Sequence, residues 1–290
     1  MPGRISRSQI RSQMRQAQRK AVNEINKEIK KINNTNKRNV DNYNRKVSAH
    51  NARVRSNRRR LLAELNRLNS RTTTTRYVTY QTSVQTLQRS FVRIEEASER
   101  GTWTSDDDLF EMAEGEAANS IAVLNALLDE PMAGASDDDS RLRDTVITNE
   151  LSDISTDLDN RWRGALFSLS PMNPDAARQF CTSTREVFVT LLDLKAPDKA
   201  VLAANANILL TDKGQVPRRE KIRFCLARNG HLDPELVDFV EDDINNVMDL
   251  FGTLNPATHG EAGLYDLTQL RVIKTRVEDA IQFLNRIVSF

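Results

Sequence analysis

The sequence is poor in the features that mark secreted or membrane-spanning proteins. It has two cysteines in 290 residues, and both lie inside helical patterns, which gives no disulfide framework and fits a reducing cytoplasm. No apolar run approaches the roughly 18 residues that a membrane span needs, and the N-terminus lacks the apolar stretch of a signal peptide. We therefore expect a cytoplasmic protein that has no membrane partner.

Glycine and proline are missing from a long N-terminal stretch, since neither occurs between Gly3 and Gly101. Nothing there forces a helix to break. Apolar residues recur every three or four positions in a narrow stripe, as in a coiled-coil seam. The stripe consists of Ile10, Met14, Ala17, Ala21, Ile25, Ile29 and Ile32, then Val40, Tyr43, Val47, Val54, Leu61, Leu65 and Leu68. The pattern predicts either one long helix or a hairpin that turns at 33–39, and a homo-oligomer, most simply a dimer.

Acidic residues are scarce in the first 60 positions, which hold 18 lysines and arginines against three acids, a net charge of +15. Because the whole chain carries +2, the remainder carries −13. A basic arm beside an acidic body is typical of proteins that bind a polyanion. We expect the arm to bind nucleic acid, with candidate phosphate contacts at Arg58, Arg59 and Arg60. The alternative is that the arm and the acidic segment neutralise one another within a dimer.

Three segments differ in charge and pattern. Residues 1–75 form the basic coiled-coil arm, residues 76–149 an acidic helical middle segment, and residues 150–290 a C-terminal helical bundle. Apolar stripes at helical spacing follow one another in the last segment, and no strand signal of comparable quality appears. The sequence therefore predicts an all-α protein with a long basic arm and a C-terminal bundle.

Capping and helix-breaking residues mark the expected helix boundaries. Thr104 or Ser105 can cap a helix whose positive end suits the acids at 106–108. Further on, Pro217 begins a helix and Asn229-Gly230 ends it.

A loop histidine, His259, follows one of these helices in the stretch TLNPATHGEAG. Metal-free cleavage of RNA needs such a group at the 2′-hydroxyl or the leaving oxygen, and a cation for the phosphate. The candidate cations are Arg178, Arg185, Arg218 and Arg219. The alternative is purely structural: His259 hydrogen-bonds the preceding helix end, and the arginines pair with nearby acids.

Other chemistries fit this sequence less well. Cys181, Cys225, His231 and His259 lack the paired spacing of a zinc site. The acids at 241–243 are consecutive on a helix and point in different directions, so we expect them to form its solvated face. Neither a glycine-rich phosphate loop nor a serine-nucleophile elbow is present. We expect neither a metal nor a cofactor.

A resemblance to a known family lies in the blocks RWRGALFSLSPMNPDAARQFCTSTREVFVTLLDLKAPD, TDKGQVPRREKIRFCL and DLFGTLNPATHG and in the closing amphipathic helix. Over about residues 158–290 the chain resembles the bacterial domain called the predicted pPIWI-associating nuclease. More distantly, it is similar to HEPN domains of abortive-infection proteins, which are all-α, commonly dimeric and often metal-independent ribonucleases of phage defence. This similarity implies that Arg185 and Glu186 are the helical Arg-Glu pair and that His259 is the loop histidine.

The sequence departs from the active HEPN pattern at one position. In that pattern four to six residues lie between an arginine and its histidine, and at the corresponding positions this chain has Gly252, Thr253 and Leu254. Asn255 matches the polar residue that often follows the arginine, so the cation would have to come from another helix, for example from Arg185.

Two hypotheses follow. The first is an anti-phage effector: a metal-independent endoribonuclease that acts on RNA rather than DNA, with a basic nucleic-acid-binding arm. Its catalytic residues would be His259, Arg185, Asn255 and Glu186. The second is a non-catalytic helical protein that assembles with another protein of a defence system.

Overall fold

The computed structural model describes residues 7–71, 77–129, 142–170, 172–254 and 265–288. Within these ranges the chain forms ten α-helices and no β-strand, which confirms the predicted all-α class. They are α1 (Arg7–Asn69), α2 (Val78–Glu99), α3 (Asp107–Leu128), α4 (Thr148–Ile154), α5 (Thr156–Ser168), α6 (Ala176–Lys195), α7 (Asp198–Ala204), α8 (Arg218–Arg228), α9 (Pro234–Thr253) and α10 (Leu267–Val288). None of the helices described is long and apolar enough to cross a membrane.

The chain divides into two compact units, Met1–Ser56 and Asn57–Phe290. In the first unit, the residues described belong to α1, which runs without interruption through positions 33–39. The long-helix alternative is therefore the one observed. The apolar stripe of this unit is exposed, to the extent of 59% at Ile25 and 67% at Tyr43.

The exposed stripe of the first unit repeats every eleven residues. Ile10, Ala21, Ile32, Tyr43 and Val54 are each eleven positions apart. Eleven residues in three turns give about 3.67 residues per turn, close to the 3.6 of a relaxed α-helix, whereas a heptad repeat gives 3.5. The stripe therefore suits partners that lie nearly straight or cross with a slight right-handed supercoil, unlike the left-handed heptad seam.

The second unit has one hydrophobic core. In it α2 packs on α9, α3 on α10, and α5 on α6, and the largest buried apolar rings are Trp162, Phe91, Phe180, Phe239 and Phe283. Three leucines predicted to continue the coiled-coil seam belong to this core instead: Leu61, Leu65 and Leu68. That part of the seam prediction is wrong, because helical spacing does not tell which apolar surface covers a stripe.

The start of α3 is capped by a residue next to the two that the sequence predicted. The side chain of Asp106 caps α3 by accepting a hydrogen bond from the Leu109 amide at 2.9 Å, in place of the predicted Thr104 or Ser105. Both hydroxyls instead donate to Asp233, the residue that precedes α9. The loop before α3 is thereby tied to the start of α9.

Candidate functional site

Arg185 and Arg218, two of the four predicted phosphate-binding arginines, stand on helices that contact one another. Arg185 is exposed on α6, and Arg218 is the first residue of α8, which contacts α6. Burial lowers the pKa of Arg218, and the positive charge of Arg185 lowers it further, against the opposing attraction of Glu241 and Asp249. Since like charges this near repel, an anion between the two guanidinium groups would be stabilised.

The two guanidinium groups differ in their existing contacts. Arg218 donates through Nη2 to the side chain of Asn245, but its buried Nε has no hydrogen-bond partner among the described residues. Arg185 makes no ion pair within the described ranges. Charge-assisted hydrogen bonds are the strong ones; the exposed Arg185 is open to them, and Arg218 would make them through the part of its side chain that lines the cleft.

A cleft of about 510 Å³ opens beside Arg218, between α6, α8 and α9. Its apolar lining includes Phe188, Val189, Leu192, Ile244, Met248 and Leu284. Its polar lining includes Asp193, Asp198, Thr211, Gln215, Arg218 and Lys221. A few polar groups on apolar walls, in a volume of roughly 300–1,000 Å³, is the usual form of a small-ligand site.

An ion-pair cluster forms part of the lining of this cleft. The ammonium group of Lys221 lies 2.6 Å from Asp193 Oδ1 and 2.5 Å from Asp198 Oδ1. Although burial acts to lower the pKa of Lys221, the hydrogen bonds to the two carboxylates raise it, so the ammonium stays charged. Asp198 also accepts the Val216 amide through Oδ2 at 3.1 Å. The Oδ2 atom of Asp193 has no described donor.

The other two predicted cations are paired with acids. Arg219 contacts Asp238 and Glu241 of α9, the latter at 2.5 Å, and these hydrogen bonds raise its pKa. Arg178 donates from Nε to Asp175 Oδ1 at 2.7 Å, and this bond raises the pKa of Arg178. For these two side chains the geometry agrees with the structural alternative.

The arginines at the end of the basic segment differ in their surroundings. Arg58 forms ion pairs with Glu95 and, at 3.6 Å, with Glu114. The charge of Arg60 acts to lower the pKa of the buried Glu116. Arg59 is exposed and has no ion pair with the residues that the structure describes. Of the three candidate phosphate contacts, Arg59 is therefore the one not already engaged by the body of its own unit.

Glu186 does not contact Arg185. Its carboxylate lies 3.8 Å from Nη1 of Arg161 on α5. Consecutive helical residues point about 100° apart, so Arg185 and Glu186 face different neighbours. The two residues of the Arg-Glu pair therefore have different neighbours: Glu186 lies beside α5, and the charge of Arg185 acts on Arg218.

His259 and Asn255 lie outside the described residues, which end at Leu254 and resume at Tyr265. The end of α9, the helix that precedes them in the sequence, packs against α6. The Phe251 ring lies 6.5 Å from that of Phe188, which stands three residues after Arg185 on α6.

A buried ionic cluster, missed by the sequence analysis, lies between α2, α3, α9 and α10. The Arg276 side chain is completely buried and binds Glu116, Asp243 at 2.6 Å and Asn246 at 3.1 Å. Asn246 in turn accepts from Ser120 at 2.9 Å. The expectation that Asp243 lies on a solvated face is wrong: it is 1% exposed.

Burial controls the protonation of this cluster. It raises the pKa of Glu116 well above its usual value, and it raises that of Asp243, although Arg276 opposes both shifts. Burial also raises the pKa of Tyr80, which lies beside the cluster, to about 12. One guanidinium cannot neutralise two buried carboxylates, so a shared proton is favoured. Closed from solvent, the cluster holds four helices together, and it offers no surface for a substrate.

The sequence does contain a signal that Arg276 and Asp243 are buried, namely their positions in their helices. Arg276 follows Ile273 by three residues and precedes Ala280 by four, so it shares the buried face of α10. Asp243 stands in the same way between Val240 and Val247 on α9.

Comparison with known proteins bears on the C-terminal part of the chain. No curated protein and no solved structure matches it. A family described as predicted pPIWI-associating nuclease matches residues 151–284, which confirms the resemblance seen in the sequence. The segment that carries Arg185, Arg218 and the cleft is thus similar to a family of predicted nucleases, for which nucleic acid is the substrate class.

Proposed function

We propose that this protein is an effector of anti-phage defence that cleaves RNA without a metal, through a HEPN-like C-terminal bundle. Arg185 and Arg218 bind one phosphate. His259 takes the proton of the adjacent 2′-hydroxyl, whose oxygen attacks the phosphorus. The 5′-oxygen leaves and is protonated by water, giving a 2′,3′-cyclic phosphate and a new 5′-hydroxyl end. Glu186 and Asn255 assist as an orienting carboxylate and an auxiliary donor.

The observation that supports this proposal is the proximity of the two arginines. The HEPN pattern has an arginine where this chain has residues 252–254, none of which is charged. In this proposal Arg185 and Arg218 provide that positive charge from other helices. The ring contact between Phe188 and Phe251 packs the end of α9, the helix that precedes His259 in the sequence, against α6. RNA is favoured over DNA because a metal-free mechanism of this type uses the 2′-hydroxyl as its nucleophile.

The basic first unit supports a recruiting role. The 15 lysines and arginines of residues 1–56 suit the phosphates of a nucleic acid, and α1 is exposed through most of the first unit. Tyr43 is the one aromatic residue in that segment, so this contact would be with the backbone rather than with stacked bases.

A cleavage assay with purified protein and single-stranded RNA tests the site. His259→Ala should lower the rate by about 10²- to 10⁴-fold, the usual contribution of a general acid or base. Arg185→Ala should also remove most activity, Glu186→Ala should be milder, and EDTA should have no effect. His231→Ala is the matched control, since His231 stands in the turn between α8 and α9 and should leave the rate unchanged.

The exposed stripe of α1 favours a second candidate, a non-catalytic protein that assembles with copies of itself or with another defence protein. The two candidates give different results. If purified protein shows no metal-independent cleavage, and His259→Ala behaves like the wild type in cells, the assembly role replaces the nuclease.

A further inference from the structure

Val189 and Asp193 line the cleft beside Arg218, and Arg185 stands one helical turn before Val189, just outside the lining. Arg185, Val189 and Asp193 are each four residues apart, so they stand one above another on the same face of α6. At about 1.5 Å per residue, the cationic and anionic positions are roughly 12 Å apart along the helix. Val189, between them, lines the cleft and is 48% exposed.

On the opposite wall α8 contributes two cations, and two carboxylates neutralise one of them. Arg218 begins α8 on the cationic side, and Lys221, three residues later, is held by Asp193 and Asp198 on the anionic side. Between the ends, the lining is apolar and includes Phe188, Met248 and Leu284. A ligand that matches this cleft has an anionic group at one end, a flat apolar body, and a hydrogen-bond donor at the other end.

We infer that this cleft binds one nucleotide: its phosphate lies on Arg185 and Arg218, and its base lies in the apolar middle. The free Oδ2 of Asp193 accepts a hydrogen bond from an exocyclic amino group of the base. This inference rests on the proposed phosphate-binding role of the two arginines and names the subsite that selects the substrate. Cytosine is favoured over uracil, since it carries an amino donor at position 4, where uracil carries a carbonyl acceptor.

Cytidine and uridine monophosphate form the matched ligand pair for the test. Isothermal titration of the full chain should show cytidine monophosphate binding about tenfold more tightly than uridine monophosphate, the smaller end of the discrimination expected from one well-made base contact. Asp193→Asn should remove the difference. Arg218→Ala should weaken both monophosphates and leave cytidine, which has no phosphate, unchanged.

Val189 offers a variant that does not endanger the fold. Val189→Glu places a negative charge on the exposed wall between the arginines and Asp193, so it should weaken both monophosphates at least tenfold, whereas Val189→Ala should not. Equal binding of the two monophosphates, or wild-type binding by Val189→Glu, would overturn the inference.

The binding tests and the cleavage assay can fail independently, so they distinguish the nucleotide subsite from the nuclease proposal. Nucleotide binding without RNA cleavage would leave the subsite standing and remove the catalytic role. RNA cleavage by the wild type, with no monophosphate binding and normal activity in Val189→Glu, would remove the subsite and leave the nuclease.

Discussion

Arg276→Met tests the buried ionic cluster most directly. The substitution keeps most of the side-chain volume and removes the charge, so Glu116 and Asp243 lose their shared cation inside the core. Breaking a buried ion pair from one side costs about 3–5 kcal/mol of unfolding free energy. At about 2–4 °C per kcal/mol for a domain of this size, the melting temperature should fall by roughly 6–20 °C.

The loss should depend on pH in a defined direction. Burial raises the pKa of both carboxyl groups, so each takes up a proton more readily in the folded than in the unfolded chain. The resulting stability is complete below the unfolded pKa values, near 4.5 and 3.8, and is lost as pH rises through the raised folded values. Without Arg276 these folded values rise further, so Arg276→Met should be least harmful in mild acid and worst above neutral pH.

Calorimetry over this pH range, with two comparison variants, separates charge from packing. Arg223→Met alters an exposed arginine paired with Glu220 and should change stability by less than about 1 kcal/mol. Adding Glu116→Gln and Asp243→Asn to Arg276→Met should recover part of the loss, because no charge then remains unpaired. A loss for Arg276→Met that is independent of pH, or no recovery in the triple variant, would refute this account.

Three further predictions concern other parts of the molecule. Removal of residues 1–56 should lower the affinity for nucleic acid and reduce its steep dependence on salt, measured by fluorescence anisotropy; unchanged affinity would leave the first unit without that role. Ile25→Asp with Ile32→Asp should lower the mass found by light scattering, unlike Asn23→Asp with Asn34→Asp on the opposite face, and a monomeric wild type would contradict the predicted dimer. Because burial raises the pKa of Cys225 to about 11 and also raises that of Cys181, a thiol reagent should modify neither at neutral pH before unfolding; rapid labelling of the native protein would count against their burial.

Local signals predicted those features of the fold that are determined locally. Asn229-Gly230 ends α8 as predicted, and Gly230 has the left-handed φ of 82° that favours glycine. Pro217 likewise stands immediately before α8, and Pro234 is the first residue of α9. In each case a few neighbouring residues decide the conformation, so the sequence alone is sufficient.

Features that depend on distant partners were less accessible. Leu61 and Ile32 look alike in the stripe of α1, but Leu61 is buried in the core of the second unit and Ile32 is exposed. The acids at 241–243 also look alike, although Asp243 alone among them is fully buried and meets Arg276. Periodicity gives the face of a helix on which a residue lies, whereas the neighbour that covers the face comes from tertiary packing.

The candidate site was predicted in its components rather than in its arrangement. The four arginines could be named from the sequence, but only their pairing separates Arg185 and Arg218 from Arg178 and Arg219, which neighbouring carboxylates hold. The cleft could not be foreseen, because its lining comes from residues of five helices and the intervening loops that are scattered along the chain.

The buried cluster determines which part of the chain can be separated from the rest and still fold. The family match begins at residue 151, but Arg276 and Asp243 within it depend on Glu116 of α3, and α9 is covered by α2. A polypeptide cut at that point would keep the whole matched segment and expose the apolar faces of α9 and α10 together with unpaired charges. The segment that sequence comparison recognises is therefore smaller than the segment that can fold, so an exchange of modules between genes would have to carry α2 and α3 along with it.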